Sequence, residues 1–324
     1  MTVAMRSCVA LLLAVVGCGG ELDAGWDEPK GLLPVDGRNP VVLCNDGAYD
    51  NWQGEYALLL TSTGTLSLAG IVISTSPVWS KLDDNMAGWQ AMVAAARKAG
   101  LKNIPDPMVS TGRNLVRPSD GKIDSTVSNP SEGATFIVEK SKELSHPYRP
   151  LVVVTGGRLT DVADAYLLDR TVADRIVVVA SLGSTSKDGG AMGVPNGEMD
   201  TWADVIVAQR LRYVQVSAFY DETTDLPTSL QLPSNPFTSW MLAKQTQVFN
   251  NLQAADQVAV VAVAIPAFVS AVSRVVQRGT DSNNIPTLAL DANGPIWLVS
   301  QINGALATAR LWQMLLDPTT FASP

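Results

Sequence analysis

The chain has 324 residues, of which 46% are hydrophobic and 17% charged, so it can bury a globular core in one large domain or two. Its 31 acidic and 23 basic residues give a formal net charge of -8, which argues against a nucleic-acid partner because phosphate binding needs a basic surface. The single histidine, His146, argues against a histidine-based zinc site and against a Ser-His-Asp triad.

The first residues have the pattern of an export signal. Arg6 precedes an apolar stretch at 8–16, which is too short for a permanent membrane span of about 20 residues. The stretch ends in VVGC, which resembles a bacterial lipobox. Residues 1–18 are therefore predicted to be a lipoprotein signal with Cys18 as the lipidation site. An ordinary secretory signal cut elsewhere is the alternative, and it would also export the protein.

The segment after Cys18 is rich in Gly, Asp and Pro, so residues 19–39 are predicted to form a flexible tether. Residues 40–324 are predicted to form one domain, held in the bacterial cell envelope by the lipid anchor, on the periplasmic side or at the outer surface. Within that domain Cys44 is the only cysteine, so no internal disulfide is expected.

Apolar, β-rich runs alternate with helix-like segments after residue 40. Strands are predicted at 41–43, 68–74, 150–155 and 175–181. Helices are predicted at 53–60, 87–99, 135–144 and 159–168, and Gly100 closes the second of them. This alternation predicts an α/β fold with a mainly parallel sheet covered by helices on both faces.

Two stretches depart from the alternation. Residues 103–131 are polar and Pro-rich and predict a long loop. Residues 258–269, VAVVAVAIPAFV, are interrupted by Pro266 and fall short of a membrane span, so they predict a buried strand running into a helix.

Acidic residues follow several predicted strands, and ligands of such sheets lie beyond the carboxyl ends of the strands. Asp46 and Asp50 follow the first strand, Glu198 and Asp200 come after the strand at 175–181, and Asp291 follows IPTLAL. Convergence of these carboxylates at one edge would give an oxygen-rich cluster of the kind that suits Ca²⁺.

Five segments in order resemble the inosine/uridine-preferring nucleoside hydrolase family over about residues 40–305. The family's opening DxDxxxDD is matched by CNDGAYDN at 44–51, and LAGIVIS, VVVTGGRLTDVADA, DRIVVVASLGS and NGEMDTWADVIVA match later motifs. The stretch SEGATFIVEKSKE resembles the branch found with cellulose-binding proteins. The resemblance implies a mainly parallel, Rossmann-like sheet with helices on both faces.

The resemblance also implies hydrolysis of an N-glycosidic bond, with a bound Ca²⁺ and the first aspartate of the opening motif as general base. Asp50 would bind ribose hydroxyls. Asn51, the Gly156 carbonyl and Asp291 would take calcium positions, with Leu290-Asp291 matching a His-Asp pair that opens a helix. Sugar hydroxyls would be held by Glu198 and Asp200. Independently of the resemblance, Trp79 lies near a predicted strand end, where its ring would either stack on a sugar or base or pack in the core.

The sequence departs from the family pattern at residues that carry the chemistry. Cys44 replaces the base, Asn51 replaces a ligand carboxylate and Leu290 replaces a histidine, which is expected to weaken calcium binding. Asp46 takes over as ligand or base if the loop shifts by one or two residues. The alternatives are that Cys44 is a small core residue and that Asp46 and Asp50 are turn or N-cap residues.

Two functional hypotheses follow. The first is a divergent glycosyl hydrolase that acts on a nucleoside or related sugar outside the cytoplasm. The second is a lipoprotein that binds the same ligand class without turnover, having lost the base and the metal. The family resemblance also allows a homo-oligomeric assembly, and a structural envelope protein without a site would be a third role.

Overall fold

In the computed structural model, residues 29, 31–47, 52–186, 196–218, 232–248 and 256–321 are described, without the side chains of 245–248. These residues form ten strands in one sheet: β1 Pro40–Asn45, β2 Ser67–Ile73, β3 Pro107–Val109, β4 Leu151–Gly156, β5 Ile176–Ser181, β6 Thr185–Ser186, β7 Arg212–Val216, β8 Val269–Thr280, β9 Pro286–Leu290 and β10 Ile296–Ile302. The strand order is β3-β2-β1-β4-β5-β7-β10-β8-β9-β6.

The described helices are α1 Gln53–Ser62, α2 Leu82–Lys98, α3 Glu132–Leu144, α4 Thr160–Leu168, α5 Val172–Arg175, α6 Asn196–Met199, α7 Thr201–Arg210, α8 Pro236–Val248, α9 Gln257–Ala264 and α10 Gly304–Leu316. Within the described chain, no helix combines the length and apolar character needed to cross a bilayer.

Seven neighbouring strands, from β3 to β10 in the sheet order, run parallel to one another, and β8 is antiparallel to β10 and to β9. Alternate residues of each central strand face opposite layers. Val41 and Leu43 belong to one apolar cluster with α1, α2 and α9, whereas Val42 and Cys44 belong to a second with α3, α4 and α7. The predicted mainly parallel α/β fold with helices on both faces is confirmed.

The predicted strand running into a helix at 258–269 is wrong. The structure has a helix running into a strand, because α9 ends at Ala264, a short 3₁₀ turn follows at Pro266–Phe268, and β8 begins at Val269. Every residue of α9 is buried. Apolar residues therefore occupy all sides of the helix, and the sequence carries no helical periodicity that would distinguish it from a strand.

Two other predictions need correction. The predicted loop at 103–131 contains β3 and a 3₁₀ turn at Ile123–Ser125. The last part of the predicted tether packs on the domain, because Leu33 and Val35 are buried in the first apolar cluster. Packing therefore begins before residue 40, and the apolar side chains of this segment are the physical reason.

Candidate functional site

The carboxyl end of β1 brings polar residues into the interior. Asn45 ends β1 and Asp46 follows it, and each has only 1% of its surface exposed. Ordinary strand residues pack into the two helical layers, whereas the last residues of a parallel strand lie where the connecting loops converge. Burying an ionised carboxylate costs free energy unless neighbouring groups compensate its charge, so the groups around Asp46 determine its chemical role.

Side-chain amides organise this edge. Asn45 donates from Nδ2 to Gln53 Oε1 over 2.7 Å, and Gln53 donates from Nε2 to the carbonyl of Asp256 over 3.2 Å. The Asn45 Oδ1 atom accepts from the backbone N–H of Gly47 at 2.8 Å and from Trp89 Nε1 at 3.0 Å. These hydrogen bonds fix the end of β1 against the beginnings of α1 and α9.

Asp256 is a site residue that the sequence analysis missed. It directly precedes α9, is 4% exposed, and accepts at Oδ1 from Asn196 Nδ2 over 3.1 Å. Asn196 also donates to the carbonyl of Ser181 at the end of β5 over 2.6 Å. In the sequence, Asp256 stands at the start of an apolar run. This position indicates a site residue only if the run is interpreted as a helix.

Two glycines at the end of β4, Gly156 within the strand and Gly157 after it, complete the edge. Gly156 lies opposite Asn45 in the sheet, and its carbonyl accepts from Asn45 Nδ2 over 3.4 Å. A Cβ atom at Gly156 would lie 2.3 Å from Gln53 Oε1, and one at Gly157 would lie 3.0 Å from the carboxyl carbon of Asp46. We call Asn45, Asp46, Gln53, Gly156 and Asp256 the edge site.

Arg158 ties the neighbouring loops together. Its guanidinium donates to Thr75 Oγ1 over 3.2 Å, to Asn114 Oδ1 over 3.1 Å and to the carbonyl of Gly112. These partners follow β2 and β3, and Arg158 follows β4. Because β1 lies between β2 and β4, Arg158 links the loops on both sides of the strand that carries Asp46.

Cys44 lies in the second apolar cluster and is 7% exposed. Burial raises the pKa of its thiol well above the ordinary value, and the nearby charge of Asp161 raises it further. A neutral thiol in an apolar layer is a poor base and a poor Ca²⁺ ligand. Cys44 is therefore a small core residue, as one of the two sequence-based interpretations predicted.

Asp291 does not meet the edge site in the structure. It follows β9, which is six strands away from β1 in the sheet, a separation of roughly 29 Å at about 4.8 Å per strand. Its carboxylate contacts Arg278 Nη2 at 3.5 Å and accepts from the backbone N–H of Asn293 at 3.0 Å. Asp256, unlike Asp291, directly precedes a helix, α9.

The two predicted sugar-binding acids have different environments. Asp200 is 3% exposed, and its carboxylate accepts from Ala203 N, Leu115 N and Thr160 Oγ1 at 3.1, 3.0 and 2.7 Å. Burial raises the pKa of Asp200, and these hydrogen bonds partly offset the rise. Asp200 thus caps α7 and anchors the loop at Leu115, whereas Glu198 is exposed on α6.

Trp79 lies next to the edge site. A Cβ atom at Gly47 would lie 2.7 Å from the Trp79 ring, so the indole packs against the backbone that follows Asp46. Trp79 is half-buried, which leaves part of it exposed to a ligand. Three other predicted residues, Cys18, Asp50 and Asn51, lie outside the described residues.

The described residues do not make a calcium site on their own. Calcium takes about 6 to 8 oxygen ligands. The edge site supplies the carboxylates of Asp46 and Asp256 and the carbonyl of Gly156, but one oxygen of Asp256 already accepts from Asn196. No group of three or more His, Cys, Asp or Glu side chains suited to a metal occurs in the described part of the chain.

The geometry defines an α/β protein with a buried polar site at the carboxyl edge of a mainly parallel sheet, where folds of this class bind small ligands. No protein-family profile and no curated protein matches the sequence. Several solved structures nevertheless share its fold.

The chain is similar to a plant nucleoside hydrolase, with a TM-score of 0.59 and 14% identity over 86% of this chain and 99% of that one. It is similar to a purine-preferring ribonucleoside hydrolase from Gardnerella vaginalis, with a TM-score of 0.57 and 14% identity over 87% and 99%. An inosine-uridine preferring nucleoside hydrolase from Bacillus anthracis gives a TM-score of 0.56 and 15% identity over 86% and 99%. The chain therefore has a divergent nucleoside-hydrolase-like fold, as the sequence motifs predicted.

Proposed function

We propose that the protein hydrolyses an N-glycosidic or closely related glycosidic bond of a nucleoside, with Asp46 as the general base. The observation that carries the proposal is the buried Asp46 carboxyl just after β1, which lies against Gly157 and follows Asn45, whose amide is hydrogen-bonded to Gln53. The fold similarity to nucleoside hydrolases supports the substrate class.

In the proposed reaction, Asp46 takes a proton from a water molecule as the water oxygen bonds to the anomeric carbon. The bond from that carbon to the leaving group breaks, and the leaving group keeps the electron pair and takes up a proton. The transition state has oxocarbenium character, so the negative charge of Asp46 also stabilises the developing positive charge on the sugar. Gln53 and Asn45 are positioning residues that hold the edge site, and no step is assigned to calcium.

A second candidate function is binding of the same ligand class without turnover. It is favoured by a specific observation, namely that the described residues assemble only two carboxylates at the edge site and place Cys44 in the apolar core. Such a protein would retain the polar edge site beside Trp79 but lack the chemistry.

One experiment separates these functions. The full-length chain is incubated with inosine, guanosine and uridine, with and without a calcium chelator, and free ribose is measured. Equilibrium dialysis of the same nucleosides measures binding. Ribose release that Asp46→Asn abolishes supports hydrolysis, whereas binding by both proteins without ribose release supports the second function. If no ribose is released and no nucleoside binds, both functions are refuted.

We also propose that the chain is a lipoprotein of the bacterial cell envelope, anchored through Cys18. The proposal is supported by the lipobox-like VVGC at residues 15–18. Metabolic labelling with a radioactive fatty acid should label the wild-type chain and not Cys18→Ala, with Cys44→Ala as the matched cysteine control. Equal labelling of the wild type and Cys18→Ala would contradict the proposal.

A further inference from the structure

A groove of about 360 Å³ lies between the outer side of α7, the loop before Ile123 and the end of β8. We call it the basic groove, and its polar lining residues that carry the argument are Arg117, Lys122, Gln209, Arg210, Gln277 and Thr280. No edge-site residue lines it. Its volume falls in the range of small-ligand pockets, which is about 300 to 1,000 Å³.

Arg117 is held in place at one wall of the groove. Its guanidinium carbon lies 5.1 Å from the ring centroid of Trp202. Trp202 is itself fixed, since it is 5% exposed and donates from Nε1 to Thr126 Oγ1 over 3.0 Å. A guanidinium held over an indole loses less conformational freedom when it binds an anion. Arg117 has no salt bridge with any carboxylate of the described residues.

Gly121 keeps the Arg117 guanidinium accessible. Its φ is +67°, a left-handed conformation that favours glycine. A Cβ atom there would lie 3.5 Å from Arg117 Nη2 and 3.9 Å from Nε, with no other atom within 4 Å. A larger side chain at this position would lie against the Arg117 guanidinium.

Positive charge exceeds negative charge around the groove. Arg117, Lys122 and Arg210 line it, against the single carboxylate of Asp124. Asp124 is 75% exposed and lies 3.7 Å from Arg210 Nη2 and 3.7 Å from Arg170 Nη1, so these contacts are weak. A cationic groove on a chain with a net charge of -8 attracts anions locally.

The remaining wall is polar and neutral. Gln209 donates from Nε2 to Gln277 Oε1, and Thr280 lies beside them. Amides and hydroxyls at this position match the hydroxyl groups of a sugar, and guanidinium groups match phosphate or carboxylate oxygens. We propose that the basic groove binds a phosphate- or carboxylate-bearing sugar, through Arg117 and Arg210 at its anionic group and through Gln209 and Thr280 at its hydroxyls.

The test is calorimetric titration of the full-length chain with ribose 5-phosphate and glucuronate, beside ribose, glucose and inorganic phosphate. The anionic sugars should bind more tightly than the neutral sugars and than inorganic phosphate, and raised salt should weaken them. Arg117→Gln with Arg210→Gln should weaken binding about tenfold or more, because each charge-assisted hydrogen bond contributes appreciably. Lys81→Gln removes an exposed positive charge outside the groove and should leave the binding of the anionic sugars unchanged.

Both arginines are exposed, so the variant should fold, and circular dichroism checks this. Three results would overturn the proposal: no binding of either anionic sugar, equal binding of the neutral sugars or of inorganic phosphate, or unchanged binding by the double variant. Asp46→Asn should leave the binding of glucuronate unchanged, because Asp46 does not line the basic groove, so the outcome is independent of the proposed hydrolysis.

Discussion

Replacing Asn45 with alanine should destabilise the protein strongly, although it removes only one small side chain. Asn45 is 1% exposed and makes short hydrogen bonds with Gln53 Oε1, Gly47 N and Trp89 Nε1. Alanine would leave these three atoms buried without that partner, and Gln53 would lose the contact that orients it toward Asp256.

The magnitude follows from the three lost contacts. Leaving one buried donor or acceptor unsatisfied costs about 1 to 3 kcal/mol, so Asn45→Ala should lower the free energy of unfolding by roughly 3 to 9 kcal/mol. At about 2 °C per kcal/mol for a large domain, the midpoint of thermal unfolding should fall by roughly 6 to 18 °C.

Urea denaturation and calorimetry at one pH measure both quantities. Asn303→Ala is the matched control, because it removes a single hydrogen bond of an exposed asparagine, from Leu306 N to Asn303 Oδ1, and it should lower the free energy of unfolding by about 1 kcal/mol. A loss below about 1 kcal/mol for Asn45→Ala, or one equal to that of Asn303→Ala, would refute the inferred hydrogen-bond network.

Two further predictions concern other parts of the fold. Gly100 follows α2 with a φ of +101°, and a Cβ atom there would lie 2.3 Å from the carbonyl oxygen of Phe321. Gly64 has a φ of +71°, but a Cβ atom there would meet no atom within 4 Å, so Gly100→Ala should destabilise the protein more than Gly64→Ala. Equal melting temperatures of the two variants would contradict this steric argument. Burial raises the pKa of Asp204 to about 7, so the native state holds a proton that the unfolded state loses near pH 4. Stability from this group is fully present below about pH 4 and is lost as pH rises to about 7, so the stability of the wild type relative to Asp204→Asn should fall across that range and then level off. A flat difference from pH 4 to pH 8 in urea titrations would show that Asp204 is ionised in the folded protein.

The central strands were predictable because their residues are apolar on both faces, as at Val152 to Val154 in β4. The order of the five family-like motifs along the chain also predicted this fold. In contrast, α9 is apolar on every side, so its type depends on the layer that packs around it and not on any periodicity in its sequence.

The composition of the candidate site was only partly predictable. Asp46 lies at a strand end, and a strand end can be located from sequence. Asp256 and Gln53 meet across 203 residues, and this contact depends on how α9 packs beside α1. Asp291 also follows a strand, but β9 pairs antiparallel with β8, and its end lies level with the amino-terminal end of β10. No local pattern in the sequence distinguishes Asp46 from Asp291, since both follow a strand.

The most direct test compares Asp46→Asn with Asp291→Asn in the ribose-release assay on nucleosides. Both variants remove one carboxylate and keep the side-chain shape, but only Asp46 belongs to the edge site. The account predicts that Asp46→Asn lowers kcat/KM by about 10²-fold or more, the usual contribution of a general base, and that Asp291→Asn stays close to the wild-type value. Equal activity of Asp46→Asn and wild type, or an equal loss in both variants, would contradict the assignment of catalysis to the end of β1.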